Sequence, residues 1–231
     1  MPDKYTYLLV DALCILFPLA CSFHPKIQFH KQWRFFALPC IVTAIFFLVW
    51  DALFTSAGIW SFNPRYTVGL FLAGLPLEEY LFFFCIPYAC VFTYYCVSQF
   101  LQLSRFQTAA RSTTYVLAAV LLVVALLYPA RLYTSLTFLF LAALLYFSIR
   151  RKASFLPSFY VAFAIILLPF FISNGILTGT GLPEPVVIYN NNYNLGIRLF
   201  TIPVEDTFYG MLLMLINVTG FDYLHRRGTR L

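Results

Sequence analysis

Two short acidic motifs contain most of the side chains in this sequence that could do chemistry. The first spans residues 75–79 and reads LPLEE, and the second spans residues 202–206 and reads IPVED. Proline is favoured at the first position of a helix, because its missing N–H would have no partner there. Acidic residues two and three positions later lie in the first turn, where free N–H groups and the helix dipole stabilise an anion. The motifs therefore predict two helix starts that each present a pair of carboxyl groups.

The four motif carboxyls are the candidate catalytic groups. Apolar surroundings and a neighbouring negative charge both favour the protonated form of a carboxyl. In a dry cavity, at least one of the four is expected to keep its proton near neutral pH, as a general acid must. The nearest cations along the chain are Arg65 and Arg198. The candidate acid and base residues are Glu78, Glu79, Glu205 and Asp206, and the sequence does not say which of them is acid and which is base.

A second group of polar and aromatic residues is predicted to lie near the motif carboxyls, from their positions relative to the two motifs along the chain. Asp51 and Asn174 stand at matched positions ahead of the two motifs and are second-tier site residues, whereas Asp11 is interpreted as a structural polar residue. Aromatic faces stabilise a cation without providing an anion that would trap it. The aromatic residues predicted to contact a substrate are Tyr80, Phe83, Phe208 and Tyr209.

The composition is that of an integral membrane protein. The chain of 231 residues is 61% hydrophobic and 10% charged, whereas soluble domains carry about 25% charged residues. Apolar runs long enough to span a bilayer recur along its whole length. They lie at about residues 4–22, 34–56, 76–101, 113–129, 133–149, 157–178 and 203–221. The sequence therefore predicts an all-α membrane protein of about seven transmembrane helices, in a single membrane domain over residues 1–231.

The basic residues predict the orientation in the membrane. Eleven of the fifteen fall in segments 23–34, 102–112, 150–156 and 222–231, and the other four fall in the N-terminus and the alternate loops. Loops rich in lysine and arginine stay in the cytoplasm. We therefore expect the N-terminus outside and the C-terminus in the cytoplasm of the cell. This bias also accounts for the net charge of +6, so no nucleic-acid partner is implied.

The order of elements repeats along the chain. Each unit reads helix, basic loop, helix, long outer loop, and then an acidic motif that opens a third helix; Pro76 and Pro203 stand 127 residues apart. Repeat 1 covers about residues 4–101, a linking helix about 113–129, and repeat 2 about 133–223. Three helices, one linker and three helices give parallel repeats, whose functional site is expected at their interface. The stretches ahead of the motifs are too long to join the following helix, so each is predicted to enter the membrane as an irregular piece.

The motifs resemble those of the membrane lycopene cyclases. Residues 75–80 with Phe82 and Phe83, and residues 202–206, are similar to the Pro-x-Glu-Glu/Asp motifs of this family. The family occurs as bacterial heterodimers, as fused single chains and as the cyclase domain of fungal bifunctional enzymes. The resemblance implies non-redox cyclisation of the linear end groups of lycopene to β-ionone rings, giving γ- or β-carotene. It implies acid/base roles for the motif carboxyls, a lipid bilayer environment, and no cofactor or metal.

Several alternatives stay open at this point. Relatives of the cyclases hydrate carotenoid ends or cyclise C50 carotenoids, and buried acids in parallel repeats also suit a cation- or proton-coupled transporter. A retinal photoreceptor would need a lysine in the last helix, and residues 203–221 contain none. A metal-dependent prenyl transferase would need basic residues near the motifs to hold a diphosphate group, and the sequence has no such group of residues there. The oligomeric state is also open, with a homo-oligomer as one alternative.

Overall fold

The computed structural model describes residues 3–228 of the chain. The terminal residues 1, 2 and 229–231, including Arg230 of the predicted basic tail, lie outside the described part. Seven α-helices make up most of this described part. Their limits lie within two residues of the predicted spans, except that the fourth helix begins six residues earlier than predicted and the last helix ends seven residues later. The helices are α1 (Thr6–Cys21), α2 (Trp33–Ser56), α3 (Leu77–Phe100), α4 (Gln107–Leu127), α5 (Leu132–Arg150), α6 (Leu156–Leu177) and α7 (Val204–Gly228).

The all-α membrane fold is confirmed. Among the described residues, helices α1 to α6 are long and apolar enough to cross a membrane. Helix α7 does not reach that measure, because it carries the second pair of motif acids and further polar residues such as Asn217. It packs against α2, α3, α5 and α6, and its middle stretch from Met211 to Leu215 is buried. An enclosed helix can carry polar groups that a lipid-facing helix cannot.

Helix α4 links the two groups of three helices and packs mainly on α5, with further contacts to α6. On the other side of the bundle, α1 packs on α3, and α2 packs on α3 and α7. Aromatic side chains fill the centre, with Phe47, Phe83 and Phe221 almost completely buried. The motif helices α3 and α7 are in direct contact, so the starts of both belong to one interior.

Short strands occupy the two long loops ahead of the motif helices. Strand β1 (Trp60–Phe62) pairs antiparallel with β4 (Val187–Tyr189) and joins the two loops to each other. Strands β2 (Phe71–Leu72) and β3 (Leu75–Pro76) form one hairpin, and β5 (Arg198–Leu199) and β6 (Ile202–Pro203) form a second. The segments ahead of both motifs are thus irregular, in agreement with the prediction, while their depth in a membrane stays a prediction.

The first hairpin shows why its turn contains glycine. Ala73 and Gly74 both have positive φ angles, of 50° and 81°, and such a two-residue turn matches the twist of paired strands. In the second hairpin Phe200 occupies the corresponding turn with φ of 58° and is 90% exposed. Each hairpin returns the chain to the motif proline, which ends the strand and precedes the helix.

Candidate active site

Both motif helices begin in the same local structure. Leu77 N–H donates to Leu70 O (2.9 Å), and the equivalent Val204 N–H donates to Ile197 O (3.0 Å). These bonds attach each hairpin to the first turn of the helix that follows it. Because successive residues of a helix point about 100° apart, the two acids of each motif cannot face the same way.

The first acid of each motif faces the hairpin. Glu78 Oε1 accepts a hydrogen bond from Val68 N–H (2.7 Å), and Glu205 Oε1 accepts from Leu195 N–H (2.8 Å). Thr134 donates a further hydrogen bond to Glu205 Oε1 (2.6 Å). Both carboxyls are fully buried, and within residues 3–228 their Oε2 atoms have no hydrogen-bond partner. Neither residue lines a described cavity, so these two acids hold loop backbone in place.

The second acid of each motif faces a cavity between the two groups of helices. Glu79 and Asp206 line a space of about 80 Å³ together with the second-tier residues Asp51 and Asn174. Of the four predicted catalytic carboxyls, the structure therefore brings two into one cavity, and it adds Asp51 as a third carboxyl. The aromatic residues around them are Tyr7, Trp60, Phe62, Phe82, Tyr133, Phe170, Tyr189 and Tyr209.

Glu79 and Asp51 form a carboxyl pair. Their side chains lie within hydrogen-bond reach of each other, and two carboxyls can form such a bond only when at least one of them is protonated. Each also accepts a hydrogen bond from a tyrosine: Tyr7 donates to Glu79 Oε2 (2.5 Å), and Tyr209 donates to Asp51 Oδ1 (2.6 Å). A pair of this kind can keep a proton in a setting that also stabilises negative charge.

Asp206 has a different environment. Its Oδ1 accepts from Tyr133 (2.6 Å), and its Oδ2 accepts from Asn174 Nδ2 (2.8 Å) and from Tyr189 (3.0 Å). Tyr189 lies in the loop strand β4, where burial raises the pKa of its phenol well above the ordinary value. It therefore stays a donor. Three donors and no acceptor on one carboxyl favour its ionised form.

Three of the four aromatic residues predicted to contact a substrate lie elsewhere. Tyr80 donates to Leu72 O in the first hairpin (2.8 Å). Phe83 is fully buried against Phe47, and Phe208 packs on Phe138. Of these four residues, only Tyr209 lines the cavity that contains Glu79 and Asp206. Helix rotation explains Tyr80 and Phe208, which stand one position after Glu79 and two after Asp206 and so point away from the face of each acid. Phe83 stands four positions after Glu79, but its ring is taken up by packing on Phe47.

The two arginines nearest the motifs along the chain point away from the acids. Arg65 pairs with Asp3 (2.7 Å) at the surface. Arg198 donates to Thr201 O (2.8 Å) and to Asn191 Oδ1 (2.9 Å). Within the described part of the chain, no ion pair reaches a motif carboxyl. The carboxyls are held by hydroxyl, amide and backbone groups instead.

Sequence reasoning missed three tyrosines that hold the cavity carboxyls. Tyr7 and Tyr133 stand at matched places, near the start of the first helix in each group of three, and each bonds the second acid of a motif. Comparing the two groups position by position could have found them. Tyr189 reaches Asp206 from a loop, and no spacing in the sequence indicates it.

An apolar groove adjoins the acid cavity. It has a volume of about 500 Å³ and is lined by residues of α1, α3, α6 and α7. Its outer edge includes Leu13, Phe17 and Leu168, which are 60–72% exposed on the side of the bundle. Five residues line both spaces, namely Phe82, Ile86, Phe170, Asn174 and Gly210. The acid cavity and the apolar groove are thus adjacent, with these five residues forming the boundary between them.

Comparison with known proteins identifies the family of the chain. A family model described as lycopene cyclase matches the chain twice, over residues 4–97 and 130–224. Each match contains one acidic motif, and together they cover most of the chain. Comparisons with curated proteins and with solved structures gave no match. On the family match, the chain belongs to the lycopene cyclase family.

Proposed function

We propose that the protein is a lycopene β-cyclase, which converts the linear end groups of lycopene into β-ionone rings without any redox change. The observation that carries the proposal is the junction between the two spaces. Carboxyls line a small aromatic cavity, and an apolar groove open to the side of the bundle leads to it. A long hydrocarbon can lie in such a groove with one end at the carboxyls. The reaction adds and removes no atoms, so the enzyme is an isomerase.

The reaction needs one proton given and one proton taken. An acid protonates C2 of the end group, and the cation formed at C1 is attacked by the C5–C6 double bond. The ring closes through a C1–C6 bond and leaves the cation at C5. A base then removes the proton from C6, and its electron pair forms the C5–C6 double bond of the β-ring. General acid and base groups contribute about 10²–10⁴-fold each to such steps.

The cavity walls suit a carbocation. The rings of Trp60, Tyr133 and Tyr209 lie near one another, with centroid separations of 5.2 to 6.3 Å. Ring faces attract a cation without presenting an anion that would trap it. The cavity of about 80 Å³ is much smaller than the groove of about 500 Å³ beside it. The groove therefore supplies the remaining space for the end group.

We also infer that the chain consists of two parallel units joined by α4, with the site between them. The cavity receives Tyr7, Asp51 and Glu79 from the first three helices, and Tyr133, Asn174 and Asp206 from the last three. The matched hairpins and the two family matches support this division. On the basic-loop count, the N-terminus lies outside and the C-terminus in the cytoplasm.

The orientation has a direct test. Green fluorescent protein fused to the C-terminus of the intact chain should fluoresce in a bacterial host, since it folds in the cytoplasm and not after export as an unfolded chain. Alkaline phosphatase at the same place should be inactive. Active phosphatase with no fluorescence would reverse the orientation.

The function is tested by pigment analysis. The chain is expressed in a lycopene-accumulating bacterium, and the extracted carotenoids are separated by chromatography. We expect lycopene to be converted to γ- or β-carotene. A hydroxylated linear product would place the protein among end-group hydratases. Unchanged lycopene, with the chain shown to be folded in the membrane, would contradict the proposal and favour a proton-coupled carrier.

Gly210 provides a test of the passage between groove and cavity. A Cβ added at Gly210 would lie 3.6 Å from Phe170 Cε2, which is an ordinary contact, so Gly210→Ala should keep most of the conversion. Gly210→Leu should fill the passage and lower the conversion of lycopene by at least tenfold. The measurement is the ratio of cyclic to linear carotenoid at equal amounts of membrane protein. Equal ratios for the two variants would show that the end group reaches the acids by another way.

A further inference from the structure

The three carboxyls in the cavity, Asp51, Glu79 and Asp206, differ in their hydrogen-bond partners. Glu79 and Asp51 line the same cavity within hydrogen-bond reach of each other, and a hydrogen bond between two carboxyls requires a proton on at least one of them. Asp206 contacts donors only, which are two phenols and the side-chain amide of Asn174. Asp51 and Asn174 stand at matched places in the two groups of helices. Glu79 therefore has a carboxyl beside it, with which it can share a proton, whereas Asp206 has an amide that donates a hydrogen bond to it.

We propose that Asp51 and Glu79 act together as the proton donor of the cyclisation and that Asp206 is the proton acceptor. The assignment rests on the proposed cyclase function and goes further by giving the carboxyls separate roles. It makes Asp51 a catalytic residue, although it lies outside both acidic motifs. It leaves Glu78 and Glu205 as structural anchors of the two hairpins.

The geometry supports both halves of the assignment. When the pair gives up its proton, each carboxylate keeps a phenolic donor: Tyr7 on Glu79 and Tyr209 on Asp51. The negative charge that develops is therefore stabilised by groups already in place. Asp206 begins as the anion and can accept the C6 proton. Its three hydrogen bonds fix its position in the cavity wall.

The proton count balances over a turnover. The shared proton forms the new C–H bond at C2, and the C1–C2 π electrons supply that bond. The C5–C6 π electrons form the C1–C6 bond, and the electrons of the C6–H bond then restore the C5–C6 double bond. The pair has lost one proton and Asp206 has gained one. Exchange with water between turnovers returns both to their starting states.

Deuterium labelling separates the two roles. Membranes containing the full-length chain are supplied with lycopene in liposomes made up in D₂O buffer, and both recovered substrate and products are examined by mass spectrometry. The unaltered chain should place one deuterium at C2 of each new ring. Asp51→Asn should give no ring. Its recovered lycopene should contain at least tenfold less deuterium than the carotenoids recovered with the unaltered chain. Asparagine has the shape of aspartate and already stands at the matched position 174, so this variant should fold.

Asp206→Asn should behave differently because protonation still occurs. The cation at C1 can revert and leave deuterium at C2 of recovered lycopene. After ring closure, the cation at C5 can instead lose a proton from C4 or from the C5 methyl group, which gives rings with a displaced double bond. Either result supports Asp206 as the acceptor. Glu79→Gln is the second donor variant and should match Asp51→Asn.

Three outcomes of the labelling experiment would contradict these roles of Asp51, Glu79 and Asp206. Label from Asp51→Asn or Glu79→Gln with none from Asp206→Asn would reverse it. No label from any of the three variants, or cyclisation by Asp51→Asn within about threefold of the unaltered chain, would overturn it. Failure of the proposed function looks different, because the unaltered chain itself would then form no ring under the same conditions.

Discussion

Glu79→Gln should abolish cyclisation of lycopene while the protein remains folded. Glutamine has the same size as glutamate and keeps an acceptor for the Tyr7 hydroxyl, which lies 2.5 Å from Glu79 Oε2. It cannot carry the proton that the proposal assigns to the pair of Glu79 and Asp51. Loss of a general acid typically costs about 10²–10⁴ in rate. We therefore expect conversion to fall by at least about 100-fold, measured as cyclic carotenoid per unit of membrane protein.

The neighbouring residue supplies a matched control. Glu78→Gln changes the adjacent position in the same way but lies outside the cavity, and its Oε1 acceptor for Val68 N–H is kept. Its conversion should stay within a few fold of the unaltered chain. The elution profile of the detergent-solubilised protein checks folding for both variants. Equal losses at positions 78 and 79 would show that the site depends on the whole motif and not on the cavity-facing acid.

The helices were predictable from the sequence because each depends on a long local apolar run. The motif prolines likewise marked the starts of α3 and α7 within a residue. The site was predictable only in part. The motifs predict Glu78 together with Glu79, and Glu205 together with Asp206, as catalytic pairs, whereas helix geometry turns adjacent side chains about 100° apart. Applying that rotation would have separated the pairs but would not have said which member faces inward.

The direction that each acid faces depends on the hairpins. The N–H groups of Val68 and Leu195 bind the first acid of each motif, and both come from irregular segments whose path no periodic pattern predicts. The loop pairing of β1 with β4 brings Tyr189 to Asp206 in the same way. Second-tier Asp51 and Asn174 were found from the repeat, because matched positions in two similar units reach equivalent places.

Removing the acid that anchors the second hairpin should destabilise the protein more than any other change in the motifs. Glu205 Oε1 accepts hydrogen bonds from both Leu195 N–H and Thr134 Oγ1–H, and the residue is fully buried. Glu205→Ala leaves the buried Thr134 hydroxyl and the part-buried Leu195 N–H without this partner, and an unsatisfied buried donor costs about 1–3 kcal/mol. It also leaves a cavity. We expect a large loss of folded protein, seen as a lower midpoint of thermal unfolding in detergent and a smaller yield from membranes.

Glu205→Gln separates this structural role from chemistry. Glutamine keeps the Oε1 acceptor, so both donors remain bonded, and Glu205 Oε2, which the amide replaces, has no partner among residues 3–228. The variant should unfold much closer to the unaltered chain than Glu205→Ala, and its conversion per folded molecule should be nearly unchanged. Stable Glu205→Gln protein that has lost conversion by about 100-fold would place Glu205 among the reacting groups. A purely structural role at the hairpin would then be contradicted for Glu78 as well, since the two acids occupy equivalent positions.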